Sequence, residues 1–208
     1  MKTSITLLTL TAAAGFAQSA AAPASAFTTS GNLSITSDYV FRGLSQTAGK
    51  AAVQGGYDIS HTSGLSAGVW ASNVSSAIGG LEIDLYANYG FKVGAVDLSV
   101  GYINYTYNTA ANGGEANVSA TYAGLQLKAS KGVNGTLNDY YYEANYNRDI
   151  AQVKGLSLGL HYGSDRLSNN DDYAISLSYP VLGFTGTVSF SDIQNGESIT
   201  AFSLKKTF

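Results

Sequence analysis

From residue 27 onward the chain alternates between apolar and polar side chains. Leu81, Ile83, Leu85, Ala87, Tyr89 and Phe91 share one parity, with Glu82, Asp84, Tyr86 and Asn88 on the other. Leu156, Leu158, Leu160 and Tyr162 alternate with Ser157, Gly159, His161 and Gly163. Tyr173, Ile175, Leu177 and Tyr179 alternate with Asp172, Ala174, Ser176 and Ser178. A period of two gives a strand one apolar and one polar face. No stretch beyond the N-terminus carries a helical period or the 18 consecutive apolar residues of a membrane helix.

The pattern predicts twelve strands, at about 31–45, 50–60, 64–74, 80–92, 95–107, 114–123, 124–131, 138–149, 155–166, 170–180, 182–192 and 197–208. The joints differ in character. His61–Gly64, Lys92–Ala95, Ala123–Gly124 and Pro180–Gly183 read as tight turns. Asn108–Gly113, Lys131–Leu137, Ser164–Asn170 and Asp192–Gly196 read as longer polar loops. Short turns at one end and longer loops at the other are the signature of an outer-membrane β-barrel. Twelve units over residues 27–208 leave about 15 residues each, enough for a crossing strand of about 9–11 plus a connection. Eight strands would demand long loops, and sixteen would leave no room for turns.

A soluble β-sandwich also alternates, but it needs a denser apolar core. Aromatics collect near strand ends: Tyr39 and Phe41, Tyr89 and Phe91, Tyr105 and Tyr107, Tyr140–Tyr142, Tyr179, Phe184 and Phe190. That distribution predicts interfacial girdles. The expected fold is therefore an all-β transmembrane antiparallel barrel, closed because an open edge in lipid would leave backbone groups unpaired.

The first 26 residues read as a signal peptide. Lys2 precedes an apolar run from Ile5 to Phe16, and Ala24-Ser25-Ala26 predicts cleavage before Phe27. The run is too short for a membrane anchor.

Composition narrows the function. Among 208 residues, charged side chains make up 12%, the net charge is -3, and there are 24 Gly, 15 Tyr and no Cys. This excludes disulfide scaffolds and thiolate metal sites, and the low basicity argues against nucleic-acid binding. The two histidines form no metal-ligand pattern. A Ser–His hydrolase would need a third polar partner beside His161, and no enzyme activity or cofactor is expected.

The run Ser37-Asp38-Tyr39-Val40-Phe41-Arg42-Gly43-Leu44-Ser45-Gln46 is distinctive, as are Gln54-Gly55-Gly56-Tyr57-Asp58, Gly68-Val69-Trp70-Ala71-Ser72-Asn73 and Glu82-Ile83-Asp84-Leu85-Tyr86. Together they resemble the TorF family of porins, also called the Gcw_chp family of proteobacterial outer-membrane proteins. The likeness is specific over about residues 30–105 and looser to Lys206-Thr207-Phe208, with Asn108 standing where a Pro is expected. It implies a porin of the Gram-negative outer membrane with no assigned solute.

With the apolar parity toward lipid, Asp38, Arg42, Asp58, Trp70, Glu82, Asp84, Tyr86, Lys128, Glu143, His161 and Asp172 face the lumen, with Asp97 near its rim. Acids exceed bases, which predicts a weakly cation-selective constriction for ions or small polar solutes. The alternative is a structural or interaction barrel whose lumen an ion-pair network blocks. A buried charge needs a partner, so Arg42 is expected to meet an acid across the barrel. Phe202, Leu204 and the terminal Phe208 resemble the signal read by the barrel-assembly machinery, although Lys206 departs from it.

Overall fold

The computed structural model describes residues 25–109, 112–135, 139–166 and 170–208. Residues 1–24 of the expected 26-residue signal peptide lie outside them. Twelve of its strands form one closed antiparallel barrel. They are β1 (Phe27–Thr36), β4 (Ala52–His61), β5 (Leu65–Asn73), β6 (Leu81–Val93), β7 (Val96–Tyr107), β8 (Gly113–Tyr122), β9 (Leu125–Gly135), β10 (Tyr140–Asp149), β11 (Ser157–Asp165), β12 (Asn170–Val181), β13 (Phe184–Ile193) and β14 (Ile199–Thr207). Two short strands, β2 (Val40–Phe41) and β3 (Leu44–Ser45), pair with each other apart from the wall.

Sequence neighbours pair all around the wall, and β1 closes it against β14 with Asn32 opposite Thr207 and Thr36 opposite Ser203. Phe208 completes that seam: its N–H donates to Gly31 O at 2.9 Å, and Gly31 N–H donates to Phe208 O at 2.8 Å.

The barrel is apolar outside and polar inside. Leu33, Ile35, Val53, Leu85, Leu127, Ile175 and Leu204 are exposed, while Ser34, Gln54, Ser72, Glu82, Asn145, Ser176 and Ser178 are buried. This inversion removes the sandwich alternative, because a soluble sandwich buries its apolar parity. Strands of 9 to 13 residues suffice to cross a hydrocarbon core.

At the turn end, Ala123–Gly124 and Leu182–Gly183 join their strands through two residues at positive φ, as type I′ hairpins require. Two expectations change here. Pro180 lies within β12, opposite Thr185, rather than in the turn. The Asp149–Ser157 connection at this end is longer than its neighbours.

The first strand differs most from expectation. It spans 27–36, not 31–45. Ser37 N–H still reaches Phe202 O at 2.8 Å, and the chain then turns: Thr36 Oγ1 donates to Asp38 O at 2.8 Å. Residues 37–51 fold inward, carrying the β2–β3 hairpin.

The aromatic girdle is also corrected in part. Tyr89, Phe91, Tyr140, Tyr142, Tyr179, Phe184 and Phe190 are exposed on the outer face, but Tyr39, Tyr105 and Tyr141 are buried inside. Tyr105 and Tyr141 sit on the polar parity of β7 and β10, so the pleat sends them to the lumen however close they lie to a strand end.

Candidate functional site

The inward hairpin and the polar wall it meets form the candidate site. The hairpin turns at Arg42 (φ 50) and Gly43 (φ 76). A two-residue turn of this kind favours Asn-Gly, and Arg in the left-handed region costs about 1–2 kcal/mol. The strain is held by contacts at the tip. Arg42 Nη2 donates to Glu115 Oε2 at 2.8 Å, with side chains 17% and 4% exposed. Its guanidinium also lies 3.8 Å from the Tyr141 ring centroid and 4.8 Å from that of Phe41.

The Gly43 backbone packs so closely on β12 and β13 that an added Cβ would stand 2.7 Å from Ile193 Cβ and 3.0 Å from Asp172 Cβ. The flank of the hairpin is equally engaged. Phe41 meets Tyr105 edge-on, with centroids 6.1 Å apart, and Tyr39 meets Trp70 at 5.4 Å. Tyr39, Ala52 and Val74 make the small apolar core beneath it. The hairpin thus reaches from β5 to β13 across the interior.

Asp38 and Arg42 were expected on one face of a barrel strand. Both sit in this inward segment instead, because β1 ends at Thr36. Asp38 organises the loop: Ser45 Oγ and Thr47 Oγ1 donate to its Oδ1 at 2.6 and 2.7 Å.

The remaining acids and bases line the wall, and those on β9–β12 are linked, with His161 Nδ1 4.0 Å from Glu143 Oε2. Lys128 Nζ pairs with Glu143 Oε1 at 2.8 Å, across the β9–β10 rung where the two residues stand opposite. His161 faces acceptors through both ring nitrogens, Asn145 Oδ1 at 2.7 Å and Asp172 Oδ1 at 2.9 Å. Tyr141 donates to Asp172 Oδ2 at 2.9 Å. Gly163 leaves room for this triad, since a Cβ there would collide with the Tyr141 hydroxyl and Asp172.

Asp58 lies nearer the turn end and accepts from Tyr86 Oη at 2.6 Å. Glu82 accepts from Tyr107 Oη at 2.7 Å. Asp84 is fully buried, and neither of its oxygens has a hydrogen-bond partner among the described residues. Asp97 is on the rim, paired with Lys92. Phe202, Leu204 and Phe208 are exposed on the outer face.

Two interior charges escaped the sequence reading. Glu115, the partner of Arg42, shares parity with Asn117 and Ser119, but it stands at the very start of its predicted strand, beside the Asn108–Gly113 loop. Lys205 shares parity with the inward Ala201 and Ser203; its neighbour Lys206 faces out and donates to Gly183 O at 2.8 Å. A hydroxyl-rich cleft runs between the hairpin, at Arg42 and Gly43, and the wall beyond Asp172, where Ser176, Thr187, Ser189 and Ser203 line it. Among the described residues, no group of three or more His, Asp or Glu converges as a metal site.

The fold is similar to that of a solved KdgM porin, with TM-score 0.62 and 11% identity over 86% of this chain and 98% of that one. It is similar to a NanC porin structure at TM-score 0.53 and 9% identity, covering 86% and 98% of the two chains. A protein solved in a study of in-meso crystallization of membrane proteins aligns at TM-score 0.58 and 11% identity, covering 86% and 83%. At these identities the likeness is one of fold. No curated protein matches the chain. The family model described as "Bacterial protein of unknown function (Gcw_chp)" matches residues 20–202, and the chain belongs to the Gcw_chp family.

Proposed function

We propose that this protein is an outer-membrane porin of the TorF type: a narrow passive channel for ions and small polar solutes, weakly cation-selective. The observation that carries the reading is the charged interior of a closed barrel. Asp58, Glu82, Asp84, Glu115, Glu143 and Asp172 face Arg42, Lys128 and Lys205 there. Strands about 4.8 Å apart, tilted roughly 40°, give twelve of them a backbone radius of about 12 Å. Side chains and the hairpin reduce this to a neck a few ångströms wide, suited to small hydrated solutes. Excess carboxylate in a low-dielectric wall favours cations.

In this reading residues 1–26 direct export. Outer-membrane lipid surrounds the barrel, and the C-terminal strand with Phe202, Leu204 and Phe208 engages the assembly machinery. No cofactor and no nucleic acid takes part.

Conductance and reversal potential in a planar bilayer under a salt gradient test the proposal. The expected result is a small current with a cation-selective potential that shrinks at high salt through screening. An anion-selective potential would overturn the charge argument. The hairpin's span from β5 to β13 favours one second reading, a structural barrel with a blocked lumen, and absence of any current would support it.

A further inference from the structure

We infer that solute passes the hairpin off the barrel axis, through a slit along the inner face of β12–β14 where serine hydroxyls stand in for part of its hydration shell; this rests on the channel reading above. The inward side chains are unequal around the wall. On β6, β7 and β10 they are bulky, with Glu82, Tyr86, Tyr105, Tyr107 and Tyr141. The hairpin leans on that side, through Tyr39 on Trp70, Phe41 on Tyr105, and Arg42 on Glu115 and Tyr141. On β13 the inward parity carries only hydroxyls from Thr185 to Ser191: Thr185, Thr187, Ser189 and Ser191. Ser176 of β12 stands opposite Ser189, and Ser203 of β14 opposite Thr187. These small side chains leave a cavity of about 50 Å³ between wall and hairpin. Toward the loops it narrows where the Gly43 backbone comes against Ile193 and Asp172.

The chemistry of the slit fits this use. Ser176 and Ser191 are 2% and 7% exposed. Their hydroxyls, like those of Ser189 and Ser203, line the cavity and make no hydrogen bond among the described residues. A buried polar group needs a partner, and water or a passing solute supplies it here. The charged residues at the edge of the slit are already engaged. Asp172 accepts from Tyr141 and faces His161, Asp38 accepts from Ser45 and Thr47, and Arg42 pairs with Glu115. What remains is a row of hydroxyls, each able to donate and to accept. Oxygen dipoles of this kind replace hydration without holding an ion fast. Along β13, Thr187 to Ser191 mark a path of about 13 Å. A water takes about 30 Å³ in the liquid, so the cavity passes water-sized ions and polar solutes singly. Ser189, at the middle of the path and opposite Ser176, is the residue that sets the size limit.

The chain has no Cys, so an introduced thiol reports on one position alone. The folded barrel carrying Ser189→Cys is placed in a planar bilayer, and its current before labelling is the reference. Aminoethyl methanethiosulfonate should then remove most of that current, because the attached group overfills the slit, and a reductant should restore it. Ser72→Cys is the control: Ser72 is inward on β5, 2% exposed and within reach of Gln54, on the side where the hairpin packs. Its current should not respond to the reagent. Mass spectrometry of the recovered protein reads the labelling independently of current. Heat-modifiable gel mobility verifies folding, and Thr187→Cys takes the place of Ser189→Cys if that variant does not assemble. A conducting wild type whose Ser189→Cys form stays unlabelled, or is labelled with its current unchanged, overturns the route and leaves the channel standing. Equal loss of current in Ser72→Cys overturns the route as well. A wild type without current retires the channel reading, and the route with it.

Discussion

Replacing Arg42 with Ala removes the guanidinium at the hairpin tip and with it three contacts: the 2.8 Å pair with Glu115 and the rings of Tyr141 and Phe41. Breaking a buried pair by deleting one partner costs about 3–5 kcal/mol. The lost cation–π contacts add about 1 kcal/mol. Some of this is recovered when the hairpin relaxes from its left-handed turn and water reaches Glu115. A net loss of about 3 kcal/mol from hairpin docking shifts the docked-to-undocked ratio roughly 150-fold. Single-channel recording reads that ratio directly. Arg42→Ala should show longer dwells in a larger-conductance state and a more cation-selective reversal potential, because Glu115 is left unpaired. Arg42→Lys should fall between, since an ammonium keeps the charge but loses the planar fork that sits on Tyr141. Exchanging the partners, Arg42→Glu with Glu115→Arg, should restore part of the docking. If Arg42→Ala folds, as heat-modifiable mobility reports, and its conductance and dwell times match the wild type, the hairpin is not held by this contact and the reasoning fails.

Other expectations follow from the wall. Ile175, exposed on the lipid parity midway along β12, should not tolerate charge: Ile175→Arg should destabilise the barrel by about 2–4 kcal/mol in urea titration in lipid, and little change would contradict the assigned phase. Deleting Phe208 removes the two hydrogen bonds to Gly31 at the seam, a net loss of about 1–3 kcal/mol. The assembled fraction in envelopes should fall further than that, and normal assembly would count against a recognition role. Mass spectrometry of the envelope protein should find Phe27 as its first residue; an intact Met1 in folded protein would refute processing at Ala26.

The barrel was legible in the order of residues because its rule is local. In lipid, each strand must send one parity outward, and a period of two shows this without reference to any other strand. Leu85 and Ile175 on one side, and Glu82 and Asp172 on the other, declare their faces from their nearest neighbours alone. Counting such segments against the residues available also limited the strands to twelve. The inward hairpin follows no such rule. Asp38 and Arg42 alternate as a strand would, and only the β1–β14 register, which ends the wall at Thr36 opposite Ser203, decides that the chain leaves it. The side-chain pairings were likewise hidden. Arg42 meets Glu115 from 73 residues away, and His161 is flanked by Asn145 and Asp172 from the two neighbouring strands. Parity tells which side chains enter the lumen. Strand order, register and the path of one loop decide which of them touch, because those contacts exist only once the sheet has closed.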